Sequence, residues 1–207
     1  MNQAATPRMQ DHARTAGDLE TLSRKLVRAR WIAAAAAPPV VFVCWAVVGL
    51  YMNLWGMGVV AGLLLLTNLA VPTYARRRLG PGLDPGVRAI RLERLVRLQV
   101  AADVTALTLA FYYMGGIENA LPFLGTFHVA CVALHMGGRE ARMVALGILT
   151  GAGIIVMLEF NRALYHWHLM NDWRWYSERE PGYVFAYVAV LAVVLFLTAW
   201  AADRRTT

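Results

Sequence analysis

Asp103 is a carboxylate inside an otherwise apolar run, and Gln99 stands four residues before it. At that spacing the two side chains share one helix face. An ionisable group placed so deep is costly and marks a functional site by default. Asn68, in the preceding apolar run, can hydrogen-bond with this pair across helices. The three polar groups then act either as helix–helix glue or as a proton-linked or signalling element. A second concentration of chemistry is the stretch GGIENALPFLGTFHVACVALHM, residues 115–136. Gly115 and Gly116 admit positive φ or close backbone approach. Asn119 can hydrogen-bond a turn backbone, and Pro122 suits the first turn of a helix. Phe123 follows, then His128, Cys131 and His135 on one helix face. A tight turn accounts for every residue type in the loop. A ligand site with amide and imidazole donors beside an aromatic ring accounts for them equally well.

The histidines could suggest a metal or a haem. Haem iron takes axial ligands from both sides of the ring. His128 and His135, on one helix face and about 10.5 Å apart by helical rise, cannot clamp one iron. No other apolar run carries a histidine, which disfavours a bis-histidine haem within the chain. His166 and His168 form a His-x-His with Asp172 nearby, a ligand type that copper and zinc accept. Spacing assembles no third ligand there, so no metal site is expected. Cys44 and Cys131 both lie in apolar runs and read as buried thiols, with neither a disulfide framework nor a CxxC motif.

These residues sit in 207 residues that are 58% hydrophobic and 16% charged. Soluble domains carry about 25% charged residues. Mean hydropathy is +0.47, and the excess lies in long apolar runs, as in an integral membrane protein. Six runs are candidates to cross a hydrocarbon core of about 30 Å, near residues 31–52, 55–74, 97–114, 122–137, 143–160 and 182–201. Of the 20 Lys and Arg residues, only Arg162, Arg174 and Arg179 fall on one side of such a bundle. The net charge of +7 therefore reads as membrane orientation and not as nucleic-acid binding. The positive-inside rule puts both termini in the cytoplasm. Tyr51, Trp55, Tyr112, Tyr113, Tyr165, Trp167, Trp173, Trp175 and Tyr176 mark the outer boundary, as amphipathic rings do.

The expected organisation is a cytoplasmic N-terminal segment over 1–30, a membrane domain over 31–202 and a short tail over 203–207. Leu19, Leu22, Leu26 and Val27 recur at helical spacing among basic residues, which predicts an amphipathic helix at the membrane surface leading into the first span. Pro38 and Pro39 fall inside that span and are expected to kink it. No internal repeat halves are visible and few charges are buried, which argues against a transporter.

The stretch LQVAADVTALTLAFYYMGGIENALPFLGTFHV resembles the membrane domain of RegB/PrrB-type redox-sensing histidine kinases. That family has six spans, cytoplasmic termini and an outer GGxxNPF heptapeptide between the third and fourth spans. Gly115, Gly116, Asn119, Pro122 and Phe123 match it in type and order, with Ala120 and Leu121 inserted between Asn and Pro. The RARW at 28–31 and the Gln99/Asp103 start of the third span are also similar. The resemblance implies an all-α, six-span sensory input module of the bacterial inner membrane. It implies a ubiquinone or another quinone at Gly115, Gly116, Asn119, Pro122, Phe123 and His128, and a signal passed through the sixth span. Phe111 and Tyr112 would pack on the quinone ring. After the sixth span the sequence reads AADRRTT, with no phosphoacceptor helix and no Gly-rich nucleotide site. The expectation is a non-catalytic sensor module, working among membrane lipids as a homodimer, with its output on a cytoplasmic or membrane partner. The rivals are a membrane electron-transfer subunit, which would carry haem or metal, and a structural subunit of a larger complex.

Overall fold

The computed structural model describes residues 7–47, 49, 53–80, 82–116, 119, 121–165 and 181–203. His166, His168, Asp172 and the Trp/Tyr-rich part of the outer loop lie outside the described residues. The elements run in order α1 (Pro7–Ala46), α2 (Leu54–Arg78), α3 (Pro85–Tyr113), a 3-10 turn (Leu121–Leu124), α4 (Gly125–Met136), α5 (Gly138–Phe160) and α6 (Pro181–Asp203). Five of these helices are long and apolar enough to cross a membrane, and Leu121–Met136 forms a shorter apolar helix. At 1.5 Å per residue the shorter one covers about 24 Å. The fold is an all-helical membrane bundle of six spans.

Local chemistry sets the helix starts. Asn53 caps α2, its side-chain oxygen accepting from the Gly56 N–H at 3.0 Å. Asp84 caps α3, its Oδ1 accepting from the Gly86 and Val87 N–H groups at 2.9 and 3.1 Å. Pro85 occupies the first helical position, where its missing N–H removes no helical bond. Gly137, at φ 104°, is the whole connection between α4 and α5. A left-handed backbone of this kind favours glycine, and it folds α5 back on α4 in the shortest way available.

Several boundaries differ from the sequence expectation. The arginine-rich helix expected to restart after Gly86 begins at Pro85 and runs without a break into the span expected from 97, and α5 begins at Gly138 where 143 was expected. α1 continues as one helix through Pro38 and Pro39 to Ala46. Its leucine stripe is not laid on the membrane surface. Leu19, Leu22 and Leu26 are buried in one cluster with Leu92 and Val96 of α3, because α3 extends alongside and offers a drier partner than the interface. α1 and α3 run parallel. Beyond Arg30, α1 turns Ile32, Phe42 and Trp45 outward, each more than half exposed. In a bilayer that face meets lipid.

α3 is the central element, packed on α1, α2 and α5, while α4, α5 and α6 pack on one another. Glycines allow the close approaches. A Cβ on Gly56 of α2 would collide with the Tyr113 ring, and one on Gly151 of α5 with the Thr108 side chain. Without a hydrophobic drive between helices in lipid, such small-residue contacts carry the packing.

Candidate functional site

Asp103 is buried at 5% exposure and its partner is Arg30 of α1. Nε of Arg30 donates to Oδ1 at 2.6 Å and a terminal nitrogen donates to Oδ2 at 2.9 Å. This is the two-pronged guanidinium–carboxylate geometry that gives short, strong bonds. The same guanidinium donates to the Gln99 side-chain oxygen and to the Gln99 backbone oxygen, each at 3.2 Å. Gln99 in turn donates through Nε2 to Ser23 Oγ at 2.7 Å. From α4, His128 brings Nε2 to 3.6 Å from Asp103 Oδ2. Ser23, Arg30, Gln99, Asp103 and His128 thus form one network across α1, α3 and α4. Each of two charges that would be prohibitive alone in a low dielectric neutralises the other.

Gln99 and Asp103 share a face, as their spacing requires. The third predicted member does not join them. Asn68 is buried at 1% exposure on α2, and neither its nitrogen nor its oxygen has a hydrogen-bond partner among the described residues. Arg30 satisfies the Asp103–Gln99 face from α1 and leaves Asn68 outside. Arg30 had counted among the cytoplasmic arginines, yet it is only 4% exposed. The signal that could have found it was depth. Arg30 is the last basic residue before the first span, and Asp103 lies six residues past Arg97, the last one before the third. Parallel helices put these positions at similar heights. Ser23 carried no signal of its own.

Further ties secure α1. Lys25 Nζ donates to His135 Nε2 at 3.3 Å, and His135 Nδ1 lies 2.8 Å from the Cys131 oxygen. An ammonium only donates and a carbonyl only accepts, so the imidazole holds its proton on Nδ1. Glu20 pairs with Arg88 of α3 at 3.0 Å. The two histidines of α4 therefore meet different partners, one on α3 and one on α1.

The loop lies at the opposite, aromatic end of the bundle. Gly115 and Gly116 have φ of 97° and 52°, so the glycine pair does supply left-handed backbone. Asn119 Nδ2 donates to the backbone oxygens of Phe111, Met114 and Gly116 at 3.1, 3.2 and 3.0 Å, and Oδ1 accepts from the Leu121 N–H at 2.8 Å. One side chain closes the end of α3 and starts the next turn. Its backbone oxygen accepts from the Tyr187 hydroxyl of α6 at 2.9 Å. The Tyr187 ring stacks on Phe111, with centroids 6.1 Å apart and planes 13° apart, and meets Phe123 edge-on at 5.8 Å. Tyr112 packs on Tyr113 instead. Pro122 is buried in the 3-10 turn. Gly116 faces the Glu159 carboxylate of α5 so closely that a Cβ would collide with it. Sequence reasoning missed Tyr187, which sits in a uniformly apolar helix.

Gly115, Gly116, Asn119, Pro122 and Phe123 are therefore together, whereas His128 points to the charged network. About 12 Å of helix separates Phe111 from Asp103 along α3, and α4 runs from the loop to His128.

A family model described as a PilS-like transmembrane domain matches residues 83–207. The chain belongs to this family. The matched part of the PilS-like domain contains α3 to α6, and with them Gln99, Asp103, His128 and the loop. Ser23, Arg30 and Asn68 lie before it. At the coarse level the match agrees with the expected sensor-kinase-type membrane domain. Searches of curated proteins and of solved structures return no match.

Proposed function

We propose that this chain is a membrane sensory input module of the histidine-kinase type. The observation that carries the reading is the Arg30–Asp103 pair joined by His128, because it ties three helices by polar contacts where apolar packing would suffice. Family membership supports it. In this reading α4 carries a change at the loop down to His128, and the network passes it to α1. Tyr187 passes the same change to α6.

The ligand we assign to the loop is a quinone drawn from the bilayer, on the resemblance of GGIENALPF to a quinone-associated heptapeptide. A quinone carbonyl needs N–H donors, and the Asn119 amide already serves three backbone oxygens. Binding there must withdraw the amide from the end of α3. The closed loop and the bound loop are then alternative states, and a ligand shifts their balance by its preference for one.

The test is lipid extraction and mass spectrometry of the purified chain, with spin labels on α1 and α6 read by pulsed electron resonance. Quinone should co-purify with wild type and fall away in Asn119→Ala, and added ubiquinone should change the α1–α6 distance distribution. No quinone in either protein refutes the ligand. Bound quinone with unchanged distances refutes the sensory coupling.

A further inference from the structure

A groove of about 660 Å³ opens between α1, α2 and α3 at the arginine-rich end. Its rim carries Arg24, Arg28, Arg76 and Arg88, against the single acid Glu20. Glu20 is already engaged, by Arg24 at 3.3 Å and Arg88 at 3.0 Å. Arg28 and Arg76 form no ion pair among the described residues, and Arg88 has a buried Nε with no hydrogen-bond partner among them. The groove thus has an excess of guanidinium donors on its rim. Its walls are different in kind: Val27, Trp31, Val71, Pro72 and Leu95 are apolar. Trp31 is 47% exposed and stands where the first span begins, the level at which indole rings sit in a headgroup layer.

From this we infer a specific site for one anionic phospholipid, with its phosphate among Arg28, Arg76 and Arg88 and an acyl chain along the Val71–Leu95 wall. A soluble anion would leave the apolar wall uncovered. A zwitterionic lipid would fill the wall but leave the rim charge uncompensated. Basic pockets between spans on the cytoplasmic side are where anionic headgroups bind, and the positive-inside rule places this end there. The inference does not depend on the ligand of the loop.

The experiment titrates the detergent-solubilised full chain with dioleoyl phosphatidylglycerol or dioleoyl phosphatidylcholine and reads bound lipid by native mass spectrometry. Phosphatidylglycerol should be retained in preference. Each arginine lost should weaken its binding about fivefold, so Arg28→Gln/Arg76→Gln should weaken it about 25-fold. The control Arg94→Gln/Arg139→Gln removes the same charge from the same end but outside the groove, and should stay within about twofold of wild type. Equal weakening in both double variants means diffuse attraction and overturns the site. Equal retention of the two lipids overturns it as well. Glycerophosphoglycerol without acyl chains should fail to compete; competition as strong as that of the intact lipid would overturn the assignment of a lipid. The arginines are surface residues, so circular dichroism should be unchanged in both variants.

Discussion

The two ends of this bundle solve the problem of buried polarity in opposite ways. At the aromatic end, the Asn119 side chain satisfies four backbone groups, all within eight residues of itself. None of these four bonds involves a charged group. At the other end, Arg30, Gln99 and Asp103 satisfy one another across more than sixty residues of sequence. The loop is a local device that happens to be touched by Tyr187. The network is a long-range device that exists only when α1 and α3 lie side by side. Local devices fix the shape of one connection. Long-range ones report whether helices are in register, and so can report a change in register.

The comparison is broken most severely by removing one charge. Asp103→Ala or Arg30→Ala should cost about 3–5 kcal/mol, since an uncompensated charge stays behind. The pair Arg30→Met/Asp103→Leu should recover most of that loss. Chemical denaturation in micelles measures both, and a single variant as stable as wild type would mean the pair is not buried.

Next comes Gly116→Ala, at about 1–3 kcal/mol. A Cβ there meets the Glu159 carboxylate, and φ is 52°. Gly62→Ala, with open space around its Cβ, is the control and should be neutral or slightly stabilising by thermal melting. Asn119→Ala should lie in a similar range, about 1–3 kcal/mol, because it orphans buried carbonyls. Tyr187→Phe keeps both ring contacts and loses one bond, about 0.5–1.5 kcal/mol. A loss in Tyr187→Phe larger than in Asn119→Ala would reverse the view that the loop is held mainly by its own asparagine. The smallest effect is expected for Glu93→Gln. Its pair with Arg97 spans 2.6 Å between half-exposed side chains, and such i,i+4 pairs contribute about 0.3–0.5 kcal/mol.

The same division decides what could be read from the sequence. Apolar run length announced the helices, and Gly115, Gly116, Asn119 and Pro122 announced a turn, because both signals are local. Gln99 and Asp103 were found because they interrupt an apolar run. Their partners were not, because Arg30 looks like any other arginine at a membrane boundary until α3 is placed beside it. Asn68 attracted attention by the same logic as Asp103, yet polarity within a run says nothing about which helix the residue faces. The leucine stripe of residues 19–26 was read correctly as amphipathic. Its partner was mistaken, since periodicity gives a face and not what covers it.

Tyr187 has one more consequence. Below that residue, α6 is held through Leu191, Leu195 and Ala199, side chains whose apolar contacts carry no directional preference. The hydroxyl bond to the Asn119 oxygen adds a directional tie at the aromatic end. α6 is thus mounted like a shaft with a keyed bearing at its aromatic end. Torque applied at the keyed end is carried along the shaft toward the arginine-rich end.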